Sequence, residues 1–181
     1  MKVLRMSAVA VFGAGLLLGV LGSRAQAENE HVKLNGFDEV PVVITGATGE
    51  LRLKIAHDQQ SIDYTLSYEN IEGGDVLQAH IHLGQKHTAT AGNIVVFLCT
   101  NVGGAPVVPP PNATPACPVG PDGTVSGTLI PANVIPRTAQ GVGTNDLAAV
   151  IEAIKKGVAY GNVHTTVSPS GEIRGNFHGQ H

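Results

Sequence analysis

The sequence predicts a mainly β domain, an antiparallel β-sandwich or open barrel with one short helix. Two observations support this prediction. Apolar and polar residues alternate over two adjacent segments between residues 51 and 68, and further short segments of strand-like composition follow. Only one segment, at about residues 145–156, shows the period of an amphipathic helix. Many short strands with a single connecting helix are typical of these two β architectures.

The first two predicted strands form a hairpin. Apolar residues alternate with polar ones in both, at Leu51, Leu53 and Ile55 and then at Ile62, Tyr64, Leu66 and Tyr68. The polar segment from His57 to Gln60 separates them and suits a turn, so the strands should pair antiparallel. Further strands are predicted at Val76–Leu83, Ile94–Cys99, Thr124–Ile130, Ala159–Val167 and Glu172–His178.

The helix prediction rests on four apolar residues at helical spacing: Leu147, Val150, Ile151 and Ile154. Thr144 or Asn145 precedes them as a candidate N-cap, and Gly157 follows the last turn as a candidate C-terminal stop. Lys155 and Lys156 in the last turn have the charge that the helix dipole favours there. The sequence therefore predicts one short amphipathic helix between late strands.

The N-terminus has the three parts of a secretory signal. Lys2 and Arg5 precede an apolar stretch from Val9 to Leu21, and Ala25-Gln26-Ala27 provides a small-residue cleavage site. An uncleaved anchor is the alternative, but the apolar stretch is shorter than the roughly 20 residues that span a bilayer. We therefore expect residues 1–27 to be a signal peptide, residues 28–181 to be a single domain, and the mature protein to be secreted or periplasmic.

The charge of the mature chain excludes some classes of partner. Three of the 11 basic residues, Lys2, Arg5 and Arg24, lie in the leader, which leaves eight against 14 acidic residues. Such a net negative chain has no electrostatic attraction to nucleic acid or anionic lipid. No segment after the leader is long and apolar enough to span a membrane. A protein partner remains open, and the sequence does not specify the oligomeric state.

Cys99 and Cys117 are the two cysteines of the chain. In an exported protein such a pair usually forms a disulfide. The segment between them, residues 100–116, is rich in proline and glycine, so we expect a long loop that the bridge holds in place. The alternative, two free thiols as metal ligands, lacks the C-x-x-C spacing of such sites.

The placement of the histidines carries most of the chemical information. Residues two apart on a strand share a face, so Gln78, His80 and His82 lie opposite the apolar residues of their strand. The same rule places Tyr160, Asn162 and His164 together on the next candidate strand. On the last strand it groups Glu172, Arg174, Asn176 and His178. We therefore expect three strands to present these side chains outward, away from the core.

The turn sequence at residues 168–171 predicts that the last two strands pair directly. The register that keeps both apolar sets on one side places these pairs opposite each other: Thr166 and Glu172, His164 and Arg174, Tyr160 and His178. It also places Phe177 over Gly161. A slip by one residue would bury Arg174 in the apolar core, so that register is not expected.

A His-x-His pair on a strand is a recurrent start of a copper or zinc site, because both rings project to the same side. His164 is the natural third ligand if its strand lies beside that of His80 and His82. Arg174, Tyr160 and His178 are expected next to these ligands, and the Arg174 charge would help to keep the imidazoles neutral. The alternative is that the histidines are surface residues that hydrogen-bond a loop packed over them.

Four motifs resemble those of the CHRD domain, the module named after chordin and common in exported bacterial proteins. They are Leu34–Pro41 with the following Ala47-Thr48-Gly49, Ala79–Gly84, Tyr160–Thr165 and Pro169–Gly175. They occur in the family's order, and the resemblance covers about residues 32–177. It implies an immunoglobulin-like β-barrel or sandwich with a limited likeness to copper-zinc superoxide dismutases, in a family that has no settled activity.

The resemblance makes His80-Ile81-His82 similar to the copper-binding pair of those dismutases. The chain departs from them because residues 88–163 contain no histidine, so a bridging ligand and zinc ligands have no source except His87. Three functions follow, in order of preference. They are an exported binding or structural module with no catalytic residues, a mononuclear copper or zinc protein using His80, His82 and His164, and a redox enzyme of dismutase type.

Overall fold

A computed structural model describes residues 27–88 and 93–179. The predicted signal peptide lies outside these residues, apart from Ala27. The described chain folds into eight β-strands and one α-helix, with three single-turn 3₁₀ helices in the connections. The strands are β1 (Glu28–Asn35), β2 (Thr48–Ile55), β3 (Ile62–Glu69), β4 (Val76–Leu83), β5 (Ile94–Thr100), β6 (Gly123–Leu129), β7 (Ala159–Thr165) and β8 (Ile173–Asn176). The helix, α1, spans Leu147–Lys155.

All strands belong to one antiparallel sheet with the order β5-β4-β7-β8-β1-β2-β3-β6. The two edge strands, β5 and β6, contact each other, so the sheet curls into a nearly closed barrel. The prediction of a mainly β antiparallel sandwich or barrel with a single short helix is confirmed. β4 and β7 are hydrogen-bonded neighbours in this sheet, and these two strands carry the histidines of interest.

The alternating residues of the predicted hairpin fill the barrel. Leu51, Leu53 and Ile55 of β2 pair directly with Leu66, Tyr64 and Ile62 of β3, and all six are buried. The sequence analysis did not predict β1, which pairs with both β2 and β8. Its apolar alternation rests on only Val32 and Leu34, which is too short a signal to distinguish a strand from a loop.

The helix occupies its predicted place, and its four apolar residues are buried in the core. Its N-cap differs from the prediction. Asp146, rather than Thr144 or Asn145, accepts a hydrogen bond from the backbone N–H of Ala149 through its side chain. All three residue types make good caps, so composition alone could not choose between them. Gly157 follows the helix with φ +68°, as expected of a C-terminal stop.

The register predicted for β7 and β8 was wrong by two residues. Asn162, rather than His164, lies opposite Arg174, and Gly161 lies opposite Gly175. Leu51, rather than Phe177, covers Gly161, because a Cβ on that glycine would lie 2.9 Å from the Leu51 side chain. A slip by two residues leaves every side chain on its predicted face, so the hydrophobic pattern cannot detect it.

Cys99 and Cys117 form the predicted disulfide. It joins β5 to the chain just before β6, at the seam where the two edge strands of the barrel meet. The Asn101 side chain reinforces this connection, because its amide donates to the carbonyls of Val76 and Cys117 and its oxygen accepts from the Cys117 N–H. The bridge therefore holds the long loop against the barrel.

Replacing both cysteines by serine should lower the free energy of unfolding by about 3 kcal/mol, because the unfolded chain then regains the freedom of the closed loop. Urea unfolding followed by circular dichroism measures this. Wild-type protein treated with a reductant is the matched control and should lose the same amount. An unchanged unfolding midpoint in both samples would contradict the role assigned to the bridge.

Candidate metal centre

Strands β4 and β7 bring His80, His82 and His164 together. β4 pairs with β7 along its length, with His80 opposite Asn162 and His82 opposite Tyr160. His164 lies two residues beyond Asn162 on the same face. The condition that the sequence analysis placed on His164, a strand beside that of His80 and His82, is therefore met.

These histidines lie on the face opposite the apolar residues of their strands, as expected, but that face is buried rather than exposed. The relative exposure is 0% for His80, 4% for His82 and 6% for His164. Phe97 of β5 packs edge-on against His80, with 4.4 Å between ring centroids. The turn between β7 and β8 covers His164 and accepts its Nδ1–H through the Pro169 carbonyl, at 3.0 Å. Periodicity separates the two faces of a strand, but it does not show whether loops cover the second face.

The three rings come close enough to share a ligand. One nitrogen from each ring lies within 4.8 Å of the other two, so a single point lies within about 2.8 Å of all three. Nδ1 of His80 is 3.1 Å from Nε2 of His164. Among the described residues, these three histidines make up the one group of three or more potential metal ligands. The arrangement is slightly wider than a bound zinc ion requires, since Zn–N distances are about 2.0–2.1 Å.

Burial keeps the imidazoles neutral. It is the main reason that the pKa of His80 falls to about 2 and that of His82 to about 3, and the neighbouring histidines lower both further. Burial also lowers the pKa of His164. Neutral imidazole is the form that binds metals. Three ring nitrogens, Nε2 of His80 and both nitrogens of His82, are buried without a hydrogen-bond partner.

Arg174 and Tyr160 support His82 from one side. The Tyr160 ring stacks on His82 with 4.8 Å between centroids and an angle of 5°, and the Arg174 guanidinium lies 3.5 Å from the centre of the Tyr160 ring. Arg174 also donates to the carbonyls of Gln85 and Thr88, which holds the loop after β4 over this face. The Arg174 charge further disfavours protonation of His82 and lowers its pKa.

Two polar residues of this site were missed by the sequence analysis as candidates. Asn162 is 3% exposed, and its Oδ1 lies 3.0 Å from Nε2 of His164. Glu39 is 6% exposed, and burial raises the pKa of its carboxyl to about 7 against the opposing effect of Arg174. For Asn162 the available signal was its place between Tyr160 and His164 on one face of their strand, and for Glu39 it was its position inside the motif Leu34–Pro41.

His178, expected beside the ligands, is exposed beyond the end of β8. It lines a surface groove with His31 and Lys86. Its predicted partner across the sheet, Tyr160, instead pairs with Asn176 because of the two-residue register shift. The structure thus places Arg174 and Tyr160 at the histidine cluster and His178 on the surface.

The described part of the chain contains no helix that is long and apolar enough to cross a membrane. The disulfide is of a kind that persists in oxidising compartments.

Comparison with known proteins gives one match. The sequence profile of the CHRD domain matches residues 31–177, which include every strand that contributes to the site. Searches of curated proteins and of solved structures found nothing that matches this chain. The family match covers most of the chain, and so the protein belongs to the CHRD domain family.

Proposed function

We propose that this protein is an exported binding module that holds one zinc or copper ion through His80, His82 and His164. The supporting observation is that three buried imidazoles converge while three of their ring nitrogens have no hydrogen-bond partner. Each buried polar atom left without a partner costs about 1–3 kcal/mol. A metal ion would take the lone pair of one His82 nitrogen and so remove part of that cost. On His80, the nitrogen that faces His164 is Nδ1, and the unpartnered one is Nε2.

The chemistry of the donors favours zinc and copper. Neutral imidazole suits both metals, whereas magnesium and calcium prefer a shell of oxygen ligands. The hydrogen bond from Nδ1–H of His164 to Pro169 leaves the lone pair on Nε2, which faces His80. Metal-binding histidines usually have such a backbone partner on their other nitrogen, because it fixes the tautomer and the ring orientation.

A purely structural module is the alternative, with the histidines serving as buried polar residues under the loops. The hydrogen bonds of His164 with Pro169 and with His80 favour it, but the unpartnered nitrogens of His80 and His82 do not. A redox enzyme of dismutase type is less well supported, because it needs a coordination position that its substrate can reach. The three ligands are at most 6% exposed.

We infer export from the leader sequence and from the disulfide. A secreted or periplasmic location would expose the site to zinc and copper without competition from the thiols of the cytosol. Detection of the mature chain, starting after Ala27, in the periplasmic or extracellular fraction would test this part of the proposal. Full-length chain confined to the cytosol would contradict it.

Metal binding is tested by titrating the metal-free exported protein with Zn²⁺ and Cu²⁺ and measuring bound metal by elemental analysis. We expect one ion per chain. The His82→Ala variant should bind more than about 100-fold more weakly, since loss of a ligand should exceed the 10–100-fold effect of losing an outer partner. This substitution removes no hydrogen bond from the metal-free protein, because neither His82 nitrogen has a partner.

The exposed turn residue His57 provides the matched control, and His57→Ala should bind as the wild type does. Saturating metal should also raise the free energy of unfolding, by about 4 kcal/mol at a thousand times the dissociation constant. Wild-type protein that takes up neither metal would refute the proposed function.

A further inference from the structure

Asn162 lies beside two of the three histidines, His80 and His164. It is directly opposite His80 across the β4–β7 ladder and two residues from His164 on the same face. Its side chain is buried, and Oδ1 lies 3.0 Å from Nε2 of His164. Nδ1 of His80 lies 3.1 Å from that same Nε2. The amide oxygen thus lies next to Nε2 of His164, one of the nitrogens that would bind a metal ion.

The contact between Asn162 and His164 joins two hydrogen-bond acceptors. The Pro169 carbonyl can only accept, so the His164 proton is on Nδ1 and a lone pair is on Nε2. An amide oxygen is also an acceptor. Without a metal, that lone pair accepts from Nδ1–H of His80, and the amide oxygen 3.0 Å away is a second acceptor beside it. A cation between the two acceptors, or an amide turned over to present its NH₂ group, would remove their repulsion.

Glu39 opposes turning the amide over. A Cβ added to Gly171 would lie 2.3 Å from Oε1 of Glu39 and 2.9 Å from Nδ2 of Asn162. The Glu39 carboxyl and the Asn162 amide nitrogen therefore lie close together beside the Gly171 backbone. A turned amide would direct its oxygen at this acidic side chain. The orientation with the oxygen toward the histidines is therefore favoured.

We propose that Oδ1 of Asn162 is the fourth ligand of the metal and completes a set of three nitrogens and one oxygen. This inference rests on the proposed function of the three histidines. Two of the six ligand-to-ligand distances, 3.0 and 3.1 Å, are close to the edge of about 3.3 Å in a tetrahedron around zinc, whereas the histidine nitrogens as a group spread to 4.8 Å.

A fourth protein ligand has consequences for the metal and for its role. An amide oxygen is a hard ligand, so the site should prefer a divalent ion, Zn²⁺ or Cu²⁺, over Cu⁺. A closed set of four protein ligands is typical of zinc sites that hold structure, whereas catalytic sites keep one position open for water or substrate. The site is thus suited to retaining a divalent ion.

The test uses Co²⁺ as a spectroscopic substitute for Zn²⁺, because four-coordinate Co²⁺ absorbs visible light more strongly than five- or six-coordinate Co²⁺ does. The protein, purified from an exporting host and stripped of metal, should give the intense four-coordinate spectrum. Asn162→Ala should weaken Zn²⁺ and Co²⁺ binding at least about tenfold and reduce the intensity of the spectrum. Asn162→Asp, which keeps an oxygen in place, should retain the spectrum and bind at least as tightly as the wild type.

Asn176→Ala is the matched control, a buried asparagine of β8 whose partners are Gly84 and Arg174. It should keep the wild-type spectrum. An Asn162→Ala variant with wild-type affinity and spectrum would overturn the inference and leave the three-histidine site intact. If that variant does not fold, loss of binding in Asn162→Asp overturns the inference equally. Wild-type protein that binds neither ion refutes the proposed function itself, and the inference with it.

Discussion

The metal-free protein should lose stability steeply as the pH falls below 6.5. His80 and His82 have folded-state pKa values of about 2 and 3, against 6.5 in an unfolded chain, and the pKa of His164 is lowered as well. At pH values between the folded-state and unfolded-state pKa, these histidines bind protons in the unfolded chain but not in the folded chain. Protonation therefore favours unfolding, and the stability present above pH 6.5 is lost as the pH decreases.

Glu39 acts in the opposite direction. Its folded-state pKa of about 7 lies above the usual 4.5, so the folded chain gains a proton between pH 7 and 4.5 that the unfolded chain does not bind. Counting the three histidines and Glu39, the unfolded chain near pH 5.5 binds between one and two protons more than the folded chain does. The free energy of unfolding should then fall by about 2 kcal/mol per pH unit.

Urea unfolding of chelator-treated protein between pH 7 and 4.5 measures this slope. His82→Gln should reduce this slope by about 1 kcal/mol per pH unit, because the variant lacks one imidazole that binds a proton only in the unfolded chain. His57→Gln should leave it unchanged, because His57 lies in an exposed turn. A flat stability profile across this range would show that the histidines are not held neutral by burial.

Glu172→Gln should lower the free energy of unfolding by about 4 kcal/mol. The carboxylate of Glu172 is 1% exposed and accepts four hydrogen bonds. One oxygen binds the Thr45 hydroxyl and the Glu72 N–H, and the other binds the Gly73 N–H and the Thr165 hydroxyl. Each carboxylate oxygen accepts from one backbone N–H, so the NH₂ group of a glutamine would face a backbone donor in either orientation. Two buried donors then lack an acceptor, and this mechanism produces the large losses seen for broken buried networks.

Thermal or urea unfolding measures the effect. The neighbouring exposed residue Glu72 gives the matched control, because it accepts one hydrogen bond, from the Gly46 N–H, through Oε1. A glutamine there keeps an oxygen for that bond, so Glu72→Gln should change the free energy of unfolding by less than about 0.5 kcal/mol. Equal effects of the two substitutions would contradict the conclusion that Glu172 stabilises the β1–β2 and β3–β4 connections through these hydrogen bonds.

Glu172 also shows a limit of the strand-face argument. The sequence analysis placed it, with Arg174 and Asn176, on the outward face of the last strand. The structure buries all three beneath loops. Each has polar partners there, and Arg174 alone reaches the carbonyls of Gln85 and Thr88 and the side chain of Asn176. Alternation identified the face correctly, but the covering loops come from distant parts of the chain.

The fold class could be predicted because its signals are local. The hairpin of β2 and β3, the amphipathic helix and the Cys99–Cys117 bridge each depend on residues close together in sequence or on a single pair. β1 escaped prediction because its apolar alternation rests on only Val32 and Leu34, although it pairs with the neighbouring β2 over its whole length. The register of β7 and β8 escaped because a two-residue slip preserves the hydrophobic pattern.

By itself, the sequence determined a mainly β antiparallel domain, one helix, one disulfide and the strand face on which His80, His82 and His164 each lie, since these follow from periodicity, composition and spacing. The pairing of β4 with β7, which joins those faces, came from the tertiary structure. Only the tertiary structure decided that this face is buried, that Tyr160 and Arg174 stack on His82, and that Asn162 and Glu39 join the site. The physical reason is that burial, and with it the neutral state of the imidazoles, depends on which loops cover a face. That covering is set by contacts between residues far apart in the chain.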